Sequence, residues 1–409
     1  MSTRKLHILL IHQAFVELDE AGGTRHTEFA RHLAQRGHRV TVIASPVSYL
    51  TGKAKRDGGA SDVPGVKVLR AATYAGLHRS FVHRLFSFLS FTTSSFFIGL
   101  RIKDVNVVYG TTPPIFQAVT AWALARLKRV PFLLEVRDLW PAFAIEVGVL
   151  RNPILIRASR WLERFLYRHA DRIVVNSPGF IEQIRERGGR QIDTVPNGAD
   201  VKMFTVDNGG DDFRKEHGLQ GKFVVLYAGA HGLSNDLGIV LSAANALRGE
   251  SNIAIVLLGD GKDKPSLQAK AAELKLANVH FVPPLAKTQM AQALAAADAC
   301  LAILKPIKLY GTVYPNKVFD YMAAGKPVLL GIDGAIREVV EQAGGGVFVP
   351  PGDPAALADA IQAMAADLKR ANRLGAAGRA YVQKHFDRAT LAAQMESVLS
   401  ELSRQSTLN

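Results

Sequence analysis

Gly311-Thr312-Val313-Tyr314-Pro315-Asn316-Lys317-Val318-Phe319-Asp320-Tyr321-Met322-Ala323-Ala324-Gly325-Lys326-Pro327-Val328 is the stretch on which the reading of this chain turns. It reads as a loop, a short helix, a glycine stop and a buried strand. Proline loses nothing in the first turn of a helix, where its missing N–H has no partner to find, so Pro315 is expected at the first helical position. Val318, Phe319 and Met322 mark an inward face, and Gly325 offers a left-handed end. Such a helix aims free N–H groups at whatever precedes it, which favours an anion such as a diphosphate. Lys317 adds a positive charge in the same turn. Asp320 is the lone acidic residue between Asp298 and Asp333, and is suited to accept from a diol such as a nucleotide ribose. The plainer alternative is that both belong to a solvated helix face.

Outward from this stretch, 409 residues are comfortable for two domains of about 200 each. A content of 48% hydrophobic and 21% charged residues is that of a folded chain. Cys300, the single cysteine, excludes an internal disulfide framework and points to a reducing compartment. The apolar run Leu6–Ile11 is too short for a secretory segment and is read as a first strand. The net charge of +14 is unevenly spread: residues 1–210 hold 29 Lys+Arg against 17 Asp+Glu, and residues 211–409 hold 21 against 19. A basic first half suggests an anionic partner, either a membrane or a nucleic acid.

Apolar strand-like runs alternate with helical patterns, the signature of parallel α/β sheets. The first half offers strands near 6–11, 39–44, 66–71, 105–109, 131–136 and 172–176. The second restarts at 223–228 and continues at 253–258, 279–283, 300–304, 327–331 and 346–349. Two doubly wound halves are more economical than one large sheet. The expected domains are 1–205 and 211–387, with the boundary inside Asp200–Asp212, and a last helix over 388–409. Ser48–Pro64, rich in Gly, Lys, Ser and Asp, reads as a flexible loop.

Several segments could carry function. The loop His12–Glu20 is closed by Gly22-Gly23 before a helix, which is either an ordinary turn or a close backbone approach to phosphate or sugar. No third glycine completes a dinucleotide fingerprint. Phe81–Arg101 holds six of the 20 phenylalanines, and its charge-free part, Leu85–Leu100, falls short of the roughly 20 residues that span a bilayer. With Arg79, Arg84, Arg101 and Lys103 at its ends, it is either an interfacial helix presenting Arg84, Phe86 and Phe88, or a buried helix between sheets. Arg157, Arg160, Arg164 and Arg168 share one helix face, either solvated or turned to anionic lipid or a lipid diphosphate. Glu135, Arg137, Asp138 and Trp140 stand at the C-terminal end of a parallel strand, the edge where ligands collect, although loop solvation also explains them. No zinc spacing, nucleophile elbow, Walker A string or nucleic-acid module is present.

The Pro315–Pro327 string, the run Arg137-Asp138-Leu139-Trp140-Pro141 and the turn Pro196-Asn197-Gly198 resemble the GT-B retaining glycosyltransferases of family 4. The nearest branch transfers deoxy or (N-acetyl)amino sugars in bacterial O-antigen and capsule assembly. The resemblance spans nearly the whole chain and is sharpest at Pro315–Pro327. It implies two Rossmann-like doubly wound domains facing a central cleft, with the last helix crossing back onto the first domain. It implies donor contacts at Gly22, Gly23, Gly229, Asn316, Lys317 and Asp320, and a reaction centre or acceptor pocket at Glu135, Arg137 and Asp138. Two departures matter. Many members hold the diphosphate with an Arg just after the glycine of Gly229 and a Lys six positions later, where this chain has Ala230 and Asp236. Lys317, Lys305, Lys308 and the segment at His231 are the candidates to replace them. In the family's E-x7-E signature Asp320 stands for the second glutamate, but Thr312 stands for the first; as a donor-site residue a threonine can hydrogen-bond a hydroxyl of the transferred sugar but supplies no carboxylate.

The function so implied is metal-independent, retaining transfer of a hexosyl unit from a nucleoside diphosphate sugar, UDP first among them. The acceptor would be a polyprenyl diphosphate-linked saccharide of lipopolysaccharide or capsule biosynthesis, at the cytoplasmic membrane face. The protein would associate peripherally with an anionic membrane surface, need no cofactor beyond the nucleotide sugar, and bind no nucleic acid. Two rivals remain. A sugar-nucleotide 2-epimerase of the same architecture would isomerise donor alone. A non-catalytic lipid- or nucleic-acid-binding protein would show steep salt dependence without binding nucleotide.

Overall fold

The computed structural model describes residues 5–17, 20, 22–48, 65–76, 81–204 and 209–408. Residues 49–64 of the expected flexible loop, Arg79, and residues 205–208 of the expected boundary lie outside the described residues.

Two parallel sheets form where the apolar runs fall. The first holds β1 (His7–Ile11), β2 (Arg39–Ala44), β3 (Val66–Arg70), β4 (Val107–Thr112), β5 (Phe132–Val136), β6 (Arg172–Val175) and β7 (Ile192–Thr194), in the order β3-β2-β1-β4-β5-β6-β7. The second holds β8 (Phe223–Ala228), β9 (Ile253–Leu258), β10 (Val279–Val282), β11 (Ala299–Ile303), β12 (Val328–Gly331) and β13 (Gly346–Phe348), in the order β10-β9-β8-β11-β12-β13. β1, β4, β5, β8, β9, β11 and β12 are buried along their whole length, as expected of strands covered by helices on both faces. β7 was not expected. Its Ile192-Asp193-Thr194 is a half-buried edge of three residues with no apolar run to announce it.

Both sheets reverse their strand order beside the first strand of the half, between β1 and β4 and between β8 and β11. In doubly wound sheets the crevice at the C-terminal ends of such strands is where ligands bind. The segments following β4, β5, β8 and β11 are therefore the first places to look.

The described residues group into two compact units, one built from residues 5–17, Gly23–Pro196 and Ala389 onward, the other from Glu20, Gly22 and the described part of Asn197–Arg388. The chain changes unit at Pro196–Asn197, earlier than the polar stretch suggested. Val201, Phe204 and Phe213 are the cause, since all three are buried in the core of the second unit. The closing helix, Arg388–Leu408, joins the first unit through Leu391, Met395, Leu399 and Leu402, which share a core with Ile8, Leu10, Phe29 and Val40. Glu396 fastens it, accepting from His38 Nε2 at 3.0 Å and Arg36 Nε at 3.2 Å.

Candidate active site

In the second unit the helix of the opening stretch runs Asn316–Ala323, and Pro315 is its N-cap, one position before the place expected. Val318, Phe319 and Met322 are buried, and Gly325 closes the helix at φ +71°. Lys317 turns back towards the end of β8. Its ammonium is shut off from solvent, has no hydrogen-bond partner among the described residues, and lies 3.9 Å from the centre of the Tyr227 ring. Burial lowers its pKa to about 7.

Glycine is required around it. A Cβ at Gly229 (φ +155°) would stand 2.7 Å from Lys317 Nζ, and one at Gly259 (φ +144°) would stand 1.9 Å from the Gly229 carbonyl oxygen. His231 completes the wall. Its ring is 0% exposed, and neither nitrogen has a partner among the described residues. Burial first, then Lys264 and Lys317 against the opposing Asp260, lower its pKa to about 4, so the imidazole is neutral near pH 7. A neutral ring keeps one N–H to donate.

Asp320 is not a lone carboxylate. Its Oδ2 accepts from Lys287 Nζ at 2.6 Å and from Asn316 Nδ2 at 3.1 Å, in a pair only 8% and 13% exposed. Asn316 Oδ1 in turn accepts from Arg388 Nη2 at 3.1 Å. The Thr312 hydroxyl donates to the Leu309 carbonyl at 2.7 Å. Lys305 and Lys308 border a groove of about 480 Å³ with Tyr310, Gly311, Asp333 and Gly334.

In the first unit the end of β5 meets the helix Arg25–Gln35. Glu135, 0% exposed, accepts from Arg25 Nε at 2.8 Å, His26 Nε2 at 2.5 Å and the Tyr109 hydroxyl at 2.6 Å. Burial alone would raise its pKa, but Arg25, His26 and Arg137 hold the carboxylate well below the usual range. Burial lowers His26 to about 4, against the pull of Glu135. The imidazole is therefore neutral, with its proton on the Nε2 that faces Glu135 and its buried Nδ1 without a partner among the described residues. The His12 ring lies 4.0 Å from that of His26, and its Nδ1 is 2.8 Å from the Thr111 hydroxyl at the end of β4. Arg137 donates to the carbonyls of Thr112 (3.2 Å) and Pro113 (3.4 Å), tying the ends of β4 and β5 together. Asp138 is raised to about 7 by burial, against Arg137 and the Leu139 N–H.

Each half of the chain matches a family model, a glycosyl transferase 4-like domain over residues 21–198 and a glycosyl transferases group 1 domain over residues 222–367. The chain belongs to the glycosyltransferases. This glycosyltransferase is 28% identical to the "Probable glycosyltransferase WbjE" of Pseudomonas aeruginosa, over 74% of its own length and 77% of that protein's. Among solved structures it is similar to the sucrose-phosphate synthase of Thermosynechococcus elongatus (TM-score 0.79, 20% identity, 97% of this chain and 99% of that one). It is also similar to Anabaena Alr3699/HepE in complex with UDP and glucose (TM-score 0.73, 18% identity, 97% and 100%). The fold of this glycosyltransferase is GT-B.

Of the residues the sequence singled out, the structure gathers Gly229, His231 and Lys317 beside the end of β8, and Asn316 with Asp320 within the following turns. Gly22 and Gly23 are exposed in the loop before the helix Arg25–Gln35. Glu135, Arg137 and Asp138 come together at the end of β5, but Glu135 is enclosed by protein and holds His26 rather than meeting solvent. Arg84 and Phe88 are half-buried, with Phe88 against Phe116, while Phe86 is 59% exposed. Arg157, Arg160, Arg164 and Arg168 are all exposed and line a groove of about 690 Å³ with Trp161. Sequence reading missed Lys287, His26, Arg25 and Tyr227. Arg25 and His26 were discoverable, as two long polar side chains opening a helix directly after a glycine pair. Lys287 carried no such signal.

Proposed function

We propose that this glycosyltransferase is a retaining hexosyltransferase that takes its sugar, with N-acetylated amino sugars among the candidates, from UDP and passes it to a polyprenyl diphosphate-linked saccharide. The observation that carries this reading is the pair of buried, unpartnered groups, Lys317 Nζ and the His231 ring, walled by glycine at the end of β8. Buried polar groups without partners are costly, and a diphosphate satisfies both. The N-terminus of the helix Asn316–Ala323 adds its own N–H groups. Together they offset the charge developing on the departing UDP, which is why no metal is required in this reading. The complex of Alr3699/HepE with UDP and glucose, on the same fold, supports UDP as the nucleotide.

Asp320, paired with Lys287, takes the ribose hydroxyls. Asp138, raised to about 7 by burial, is placed to hydrogen-bond the acceptor hydroxyl and orient it, while the hydroxyl's proton passes to the leaving phosphate. Retention follows a front-face course, in which the leaving phosphate receives that proton. The first unit turns its arginines and exposed phenylalanines to an anionic membrane, so the protein works peripherally on lipid-borne substrate in cell-surface polysaccharide assembly. Incubation of UDP-N-acetylhexosamines and UDP-hexoses with a short polyprenyl diphosphate disaccharide, without metal, tests it. Transfer with an axial linkage from an axial donor supports the reading. An equatorial product removes retention, and interconversion of donor without acceptor replaces a transferase by an epimerase.

A further inference from the structure

Lys317 is a strange place to keep a charge. Tyr227 and Gly229 at the end of β8 are what its ammonium touches, and no carboxylate is paired with it among the described residues. On its own helix the nearest acid, Asp320, gives Oδ2 to Lys287 and Asn316. On the β8 side stands His231, a neutral ring. Beyond it, in the segment after β9, are Asp260 and Lys264, which act on His231 and cancel in sign. An ammonium shut away with an aromatic face and the Gly229 backbone lacks both water and counter-ion, and the amine gains by giving up its proton.

We propose that Lys317 stands as a neutral amine in a substantial part of the unliganded protein and takes up a proton when the diphosphate of the donor arrives, so that nucleotide binding is proton-coupled through this residue. The inference rests on the donor site proposed above and adds to it a mechanism of loading. Two negative charges beside the amine supply the counter-ion it lacks, and the bound form is the ammonium. The proton comes from solvent and stays on Nζ until the nucleotide leaves. Burial places the free amine at about 7, which fixes the direction of the effect. Well below that pH the lysine is already charged and binding takes up nothing. Above it each binding event draws a proton, so affinity falls as pH rises, by about tenfold per pH unit until the pKa of the bound state is reached. The terminal phosphate of UDP titrates near 6 and has finished before this window opens.

Titration calorimetry of UDP, GDP, ADP and dTDP at about pH 8, in phosphate and in Tris, tests it on the full-length protein. The two buffers differ in ionisation enthalpy, so the difference in heat counts protons. The expected result is uptake approaching one proton for the nucleotide that binds. Lys317→Met should show uptake near zero and a pH-independent, weaker affinity, with a melting temperature at or above that of the wild type to show that it is folded. His231→Asn should bind more weakly, yet keep the same uptake per nucleotide bound. Tight binding of a nucleotide with the same heat in both buffers overturns the proton coupling and leaves the donor site standing. Uptake that survives Lys317→Met, or vanishes in His231→Asn, assigns the proton elsewhere and also overturns it. If no nucleotide binds at all, the donor site itself falls and the coupling with it.

Discussion

Lys287 and Asp320 are 33 residues apart in sequence and 2.6 Å apart in the fold, and they decide how any substitution at Asp320 is interpreted. Removing one member of a nearly buried ion pair leaves the other as an uncompensated charge, which costs about 3 kcal/mol. Asp320→Ala is therefore expected to lose stability as well as UDP affinity. Asp320→Ala combined with Lys287→Met should recover most of the melting temperature but none of the affinity. If the double variant also recovers UDP binding, Asp320 only neutralises Lys287 and never meets the ribose. At the same scale His26 gives a pH signature. Its folded pKa is depressed from 6.5 to about 4, so the folded state favours the neutral ring. That preference is fully present above pH 6.5 and is lost as pH falls towards 4, amounting to about 3 kcal/mol. Urea midpoints followed by a probe in the first unit should fall across that interval in the wild type and change less in His26→Gln. Equal slopes would mean that His26 is already charged against Glu135. Glu135 itself was legible as a residue at a strand end, since the run Leu134–Asp138 closes an apolar strand. Its enclosure was not, because the three donors that claim it come from β4 and from the first helix, and no local pattern reports them.

The helix Phe81–Leu100 shows what periodicity resolves and what it leaves open. Its composition announced an apolar helix, but composition alone could not decide between burial and an interface. The structure separates two faces. Ser87, Phe91, Ser95 and Gly99 recur every fourth residue and are buried, and a Cβ at Gly99 would stand 2.3 Å from Leu124 of the helix Ile115–Lys128. This seam, small except for Phe91, brings the two helices closest at Gly99. The larger residues are left outside: Val82, Phe86, Leu89, Phe97 and Leu100 are exposed, Phe86 by 59% and Phe97 by 57%, with Thr93 the one polar member of the stripe. Among the described residues no helix is long and apolar enough to cross a membrane. A helix with serines inward and Phe86 and Phe97 outward suits the interfacial layer of a bilayer. Partial burial of a phenylalanine contributes about 1 kcal/mol, so Phe86→Ser with Phe97→Ser should weaken partition into anionic phosphatidylglycerol vesicles roughly thirtyfold. UDP affinity should be unchanged. Flotation of the variant with the vesicles at wild-type levels would turn the stripe over to a protein partner. The exposed face of the helix Pro153–His169 should act in parallel, with Arg157, Arg160, Arg164 and Arg168 losing their attraction for such vesicles as salt is raised.

On the scale of the molecule, the chain leaves the first unit at Pro196 and returns to it at Ala389, so the last helix is remote in sequence from the sheet it stabilises. Alternation of strand and helix made both doubly wound halves legible, because strands covered on two sides must be apolar throughout and parallel strands must be joined by crossovers. The return was not legible from the residues, since an amphipathic helix fits any apolar surface. Its placement makes a prediction that separates the two units. Met395 and Leu399 are fully buried against the first unit's core, and truncating either to alanine removes side-chain volume at a cost of about 3 kcal/mol. In a unit of this size that loss lowers the midpoint by about 10 °C. Differential scanning calorimetry of Met395→Ala or Leu399→Ala should thus shift the transition of the first unit alone, and UDP should still raise the transition of the second. Leu301→Ala, buried in the middle of β11, should do the reverse. If both substitutions move one common transition by similar amounts, the units unfold as a single cooperative body, and the closing helix stabilises the whole protein rather than the half it rejoins.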